Sequence, residues 1–192
     1  MVTRRRYYNI IKTPDELQRL YDTDYWGGVT SDWNGGIFSK DPATILRRYQ
    51  EYVSTALKVV ERSRGKLLEV GCGIGQVVKI LRNIGIEVMG LDVSDWAVKH
   101  SLTPYTIKGS IYSLPFGDKI FDLVYSHDVL EHIPISGLKC AIAELQRVGK
   151  KNYHIISCGS LDDDRDITHV TMHTIRWWKN HVPDDFEVAK KV

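Results

Sequence analysis

The stretch from Lys66 to Gln76, KLLEVGCGIGQ, ends an apolar run in an acid and then sets glycines at 71, 73 and 75. Glycines directly after a strand admit a ligand close to the backbone, since no Cβ obstructs it and φ is free to be positive. A dinucleotide fingerprint, G-x-G-x-x-G, needs its third glycine at position 76, where Gln76 stands. A phosphate-cradling G-x-x-x-x-G-K-[ST] loop needs a Lys-Ser or Lys-Thr pair, and none follows. Glu69 would repel a pyrophosphate and attract a cation. Asp92, 17 residues beyond Gly75, ends a second apolar run. An acid at that place accepts hydrogen bonds from the hydroxyls of a ribose.

An adenosine-like ribose, no diphosphate and a positive group are features of S-adenosylmethionine. Further groups that could act on a bound molecule lie in SHDVLEHI, residues 126–133, which holds His127, Asp128, Glu131 and His132. Any of its histidines, or Asp128, could serve as a general base. The alternative is that Asp128 caps a turn while Glu131 and His132 brace loops. The acid-rich segment LDDDRDITHVTMH, residues 161–173, carries His169 and His173. On a helix, two histidines four apart share a face and could bind a metal with the acids. Without an H-E-x-x-H pattern, the expectation is no metal site, with His169 facing a substrate or sitting in a connector.

These residues require a scaffold that brings strand ends to one edge. Asp41-Pro42 reads as a helix start, and apolar residues at helical spacing continue it to about Arg62. Strands are expected over 66–70, 86–93, 105–109, 120–126, 152–159 and 185–192. Helices are expected over 76–84, 95–100, 135–149 and 174–182. Such alternation implies an α/β fold with a mostly parallel sheet and helices on both faces. Ligands bind such sheets beyond the carboxyl ends of the strands, where strand order reverses. Of the adjacent Trp177 and Trp178, only one should be well buried, because neighbouring helix positions do not share a face.

The blocks LLEVGCGIGQ, VMGLDVSDWAV, KGSIYSLPFGDKIFDLVYSHDVLEHI and, more weakly, HIISCGS…THVTMHTIRWW resemble a class I S-adenosylmethionine-dependent methyltransferase of the type 11 group. They span about residues 66–178. The resemblance implies a Rossmann-like sheet of six to seven strands and methyl transfer from the sulfonium of S-adenosylmethionine. It places Glu69, Gly71, Cys72, Gly73 and Gly75 along the methionine and ribose side, Asp92 on the ribose and Val93 on the adenine. Ser110 and Ile111 match positions beside the adenine ring. The family usually has an acid where Ser110 stands, so that contact is weaker here. Ser126, with Tyr125 and His127, falls near the methyl group. His127, Asp128, His132 and His169 are the catalytic candidates. The family's sheet closes with an antiparallel pair, but 185–192 suffices for one strand, so the sheet is expected to lack its last strand or to fill the edge otherwise.

Residues 1–40, with the YWGG cluster, read as a cap or lid ahead of a domain over 41–192, with Tyr25 and Trp26 shielding the sulfonium. The competing reading makes them cover for a sheet edge. The chain as a whole is 43% hydrophobic and 26% charged, with net charge +2, as in an ordinary globular protein. No global charge favours nucleic acid or an anionic membrane, and no apolar run reaches the ~18 residues of a membrane span. No secretory apolar core opens the chain, and its three cysteines are odd in number and widely spaced, so a cytoplasmic location is expected. A small-molecule methyl acceptor is favoured. The alternatives are a non-catalytic S-adenosylmethionine-binding or scaffold protein and, against Gln76 and Glu69, a nucleotide-dependent oxidoreductase.

Overall fold

The computed structural model describes residues 42–159, 166 and 168–191. The 1–40 segment, and Tyr25 and Trp26 with it, lies outside the described residues. Helix α1, Pro42–Arg62, leads into β1, Leu67–Val70, then α2, Gln76–Asn83, and β2, Val88–Asp92. Helix α3, Asp95–Lys99, precedes β3, Thr106–Lys108, and after a long loop comes β4, Leu123–His127. A 3₁₀ turn, Leu130–His132, leads into α4, Ile135–Val148, and β5, Asn152–Ile156. Helix α5, Ile175–His181, and β6, Phe186–Lys190, end the described chain.

The strands form one six-stranded sheet in the order β3-β2-β1-β4-β5-β6. Every pairing is parallel. Four-residue β1 is buried throughout, as a central parallel strand must be when helices cover both faces. Its alternation sorts the core into two layers. Leu67, with Leu123, Tyr125, Tyr153 and Ile155, packs against Ala56 and Val59 of α1 and Val77, Val78 and Leu81 of α2. Leu68 and Val70, with Val124 and Ile156, pack with Leu138, Ala141, Ile142 and Leu145 of α4 and Trp178 of α5. Strand parity therefore directs Glu69, Tyr125 and His127 to the α1–α2 face.

The antiparallel closing pair usual in the family does not occur among the described residues, as the single strand available at the end of the sequence implied. β6 instead runs parallel to β5, from Asn152↔Phe186 to Ile156↔Lys190. The α5 crossover explains this: a strand–helix–strand connection returns the chain parallel, whereas an antiparallel neighbour would need a hairpin. In α5, Trp178 is fully buried, while half-buried Trp177 stacks between His173 and His181, at 3.8 Å from each ring. That is the split expected of adjacent helix positions.

Candidate active site

Strand order reverses at β1, which sends its connections toward β2 on one side while β4 flanks it on the other. The crevice beyond their carboxyl ends is the binding place that such a topology offers. Order 3-2-1-4-5-6 is shared with dinucleotide-binding sheets, so topology alone does not select the ligand.

The loop after β1 is built on left-handed backbone. Gly71, Gly73 and Gly75 have φ of 72°, 54° and 78°. A Cβ on Gly71 would fall 2.3 Å from Val129 Cγ2, so this glycine also lets the segment after β4 approach. Gly75 caps α2 and turns the loop into the helix. Backbone N–H groups of Gly71 and Cys72 donate to the Leu91 carbonyl at 2.7 and 3.1 Å. Cys72 is buried below the loop, where Gly90 makes room: a Cβ there would lie 2.6 Å from its sulfur. Cys72 thus supports the loop from beneath.

Asp92 connects the first two strand ends. Its Oδ2 accepts from Gly73 N at 2.7 Å and its Oδ1 from Ser94 N at 2.9 Å. Each carboxylate oxygen accepts about two bonds, so this clamp orients the group for hydroxyl donors rather than excluding them. Ser94 in turn accepts from Ala97 N at 3.1 Å and starts α3. Val93 beside it is half-buried. After β3, Ser110 Oγ accepts from Tyr112 N at 3.2 Å, which further weakens it as an acceptor for an adenine amino group. Ile111 is buried in the core next to it.

Glu69 is the anomaly of the site. It is 4% exposed, and its Oε2 has no hydrogen-bond partner. Burial pushes its carboxyl up to about 8, although the Tyr125 hydroxyl and the Val78 amide favour the charged form. The Tyr125 hydroxyl is close enough to exert that influence, yet it lacks hydrogen-bond geometry to any partner. A buried carboxyl with one oxygen unpartnered, beside a glycine loop, fits a ligand carrying positive charge. The donor and acceptor set therefore fits S-adenosylmethionine: Asp92 for its ribose, the loop backbone for its close approach and Glu69 for its cationic end.

The sequence-predicted catalytic residues separate into two groups. His127 faces α1, where its Nδ1 lies 2.8 Å from Thr55 Oγ1 while Nε2 is buried without a partner. Burial lowers its pKa to about 4, so it is neutral at pH 7. Ser126 points to the opposite face and pairs with His154 Nδ1 at 2.8 Å. It is 1% exposed and serves to join β4 to β5. The second group lies beyond β4 and β5. Asp128 has left-handed φ of 62°, and its Oδ1 accepts from Ser157 Oγ at 2.6 Å. Burial alone would raise its pKa, but Lys191, bonded to Oδ2, holds it well below the usual range. Glu131 is fully buried and accepts from Ser157 N at 2.5 Å. Burial, then the Asp128 carboxylate, pushes its pKa upward.

His132 and His169 meet edge to face at 4.5 Å, and burial lowers the pKa of His132 to about 4. His169 and His173 do not share a helix face. Both precede α5, in a non-helical segment, and His173 stacks on Trp177 instead. Thr55, Ser157, Thr168 and Lys191 are partners that no motif announces, because each acts through tertiary contact alone.

Residues 68–156 match the family model for a methyltransferase domain, just under half of the chain. An uncharacterized methyltransferase of Schizosaccharomyces pombe is 32% identical over 139 residues, covering 62% of this chain and 49% of its own. A sterol 24-C-methyltransferase of Pneumocystis carinii is 28% identical over 160 residues, covering 76% of this chain and 38% of its own. The chain thus spans half or less of the length of these relatives. In fold, the [4+2]-cyclase SpnF superposes with a TM-score of 0.62 at 21% identity, over 85% of this chain and 68% of its own. With the parallel sheet, the glycine loop and the Asp92 clamp in place, residues 68–156 are similar in sequence and in fold to a methyltransferase domain that uses S-adenosylmethionine.

Proposed function

We propose that the protein transfers a methyl group from S-adenosylmethionine to an oxygen or nitrogen of a small molecule. The observation that carries this reading is the buried Glu69 carboxyl, with its Oε2 left without a hydrogen-bond partner, beside the clamped Asp92 and the left-handed glycine loop. When bound, the cofactor supplies an electrophilic methyl on a sulfonium. The loop and Asp92 would hold its nucleoside, and Glu69 would face its positive end. Most of the acceleration would come from placing acceptor and methyl in line.

His127 is the side chain best suited to take a proton from the acceptor. Thr55 orients it, it is neutral at pH 7, and Nε2 has no competing partner. Its low basicity makes it a modest base, since an effective one titrates near the working pH. Asp128 is tied to Lys191 and Ser157, and His132 and His169 to the loop after β5. The sterol methyltransferases among the relatives support a small-molecule acceptor, although theirs is a carbon by name. Among the described residues no helix is long and apolar enough to cross a membrane. The cysteines at 72, 140 and 158 are free, which supports a cytoplasmic setting.

The test is transfer of an isotopic methyl label from S-adenosylmethionine into small molecules of a cell extract. Label in a small product, reduced in His127→Ala, is expected. Cofactor binding without any label transfer would support the non-catalytic reading instead. The structural likeness to a cyclase makes turnover, rather than binding, the discriminating measurement.

A further inference from the structure

Beyond the ends of β4 and β5, on the side away from His127, two histidines and three carboxylates converge. His132, Asp166 and His169 each offer a ligand atom within 4.8 Å of the others, and all three are buried. Asp128, Glu131 and His169 form a second group within the same limit. His169 is common to both, so the five side chains make one cluster.

Its hydrogen bonds set the donor atoms. Thr168 Oγ1 donates to Asp166 Oδ1 at 2.6 Å, because a carboxylate cannot donate. Having used its single proton, that hydroxyl must accept from His132 Nδ1 at 2.9 Å. His132 therefore carries its proton on Nδ1, which also lies 3.3 Å from the Thr168 carbonyl, and Nε2 is the ring nitrogen that bears the lone pair. A metal-bound imidazole is commonly held this way, with its other nitrogen donating to an oxygen behind it. Asp166 Oδ2 lies 3.8 Å from His169 Nε2. Two ligands about 2.1 Å from one tetrahedral ion stand about 3.4 Å apart, so a small closure suffices.

A second observation points to the same place. Glu131 is fully buried, and its Oε2 has no hydrogen-bond partner. Its Oε1 already accepts from Ser157 N, and both oxygens of Asp128 are engaged by Ser157 and Lys191. The Glu131 carboxyl also faces Asp128, which pushes its pKa further upward, and its Oε2 meets no donor in hydrogen-bond geometry. A buried polar atom without a partner is costly, and a cation beside it would remove that cost.

We propose that His132, His169 and Asp166 bind a divalent first-row transition-metal ion, with the buried Glu131 carboxyl, which groups with His169, beside the site. Two imidazoles and carboxylate oxygens suit zinc or iron(II) and disfavour magnesium and calcium, which take all-oxygen sets. The ion would tie the loop after β5 to the turn after β4, and so fix one rim of the acceptor face.

The test uses the untagged full chain, stripped with chelator and titrated with Co²⁺ while visible d–d absorption is followed. One Co²⁺ per chain is expected, displaced by one Zn²⁺ and unaffected by excess Mg²⁺. His169→Gln and Asp166→Asn should abolish the band while S-adenosylmethionine binding, read by calorimetry, confirms that they fold. Thr168→Val should weaken Co²⁺ binding ten- to a hundred-fold, as loss of a supporting partner does. His173→Ala with His181→Ala should leave it unchanged. No stoichiometric band in the native chain would overturn the proposal. So would a band that survives His169→Gln or is lost in the His173/His181 variant.

Discussion

Replacing Glu69 by Gln should remove a pH dependence of both stability and cofactor binding. Glu69 titrates at about 8 in the folded protein against an ordinary value of 4.5. Between those values the unfolded chain has released this proton and the native state keeps it. The native state then binds more protons, so its stability falls as pH rises, by about 1.4 kcal/mol per unit. From pH 6 to 7.5 the loss is about 2 kcal/mol, or roughly 4–8 °C in melting temperature for a chain of this size. Glu131 is displaced in the same direction, so the comparison is between the native protein and Glu69→Gln, in which only Glu69 differs. If the cationic cofactor requires the carboxylate, binding at pH 7 must expel about 0.9 proton, because the group is then only about a tenth ionised. Affinity should rise about tenfold from pH 7 to 9 for the same reason. The cofactor's own α-amino group, titrating near 7.7–8.0, acts in the opposite sense but equally in both proteins. Calorimetry in two buffers of different ionisation enthalpy reads the proton count directly. Equal proton release and equal pH slopes in the two proteins would refute the role given to Glu69.

Asp92→Ala removes the acceptor of Gly73 N and Ser94 N together with the proposed ribose contact, so cofactor affinity should fall by about 1–3 kcal/mol in calorimetry. Gly73→Ala places an L-residue at φ 54°, which should cost about 1–2 kcal/mol of stability, read by denaturant unfolding, and weaken cofactor binding by blocking the loop's approach. Trp178→Ala should destabilise by about 3–5 kcal/mol, while Trp177→Ala should cost less than half as much, because its stack with two histidines is partly exposed.

The fold was legible because its signals are local. Ser94 before DWAVK and the apolar runs LLEV and VMGLD define elements with little help from the rest of the chain. The glycine spacing at 71, 73 and 75 likewise carried over into three left-handed residues. Strand face was legible by parity, but which neighbour each side chain meets was not. Ser126 was expected beside the cofactor's methyl group, yet its hydroxyl is paired with His154 across the β4–β5 register. His169 and His173 looked like a pair because they are four apart. That spacing has meaning only on a helix, and α5 begins two residues after His173. The true neighbour of His169 is His132, 37 residues away in sequence, and only the packing of the loop after β5 reveals it. The parallel setting of β6 was also hidden, since a single five-residue strand does not show which way it will run.

The most direct test of the central claim is a calorimetric titration of the native protein with S-adenosylmethionine and, separately, with NAD. Glu69, Asp92 and the loop that ends at Gln76 predict one bound S-adenosylmethionine per chain and no measurable heat from NAD. Binding of NAD, or no binding of S-adenosylmethionine by a folded protein, would contradict the account.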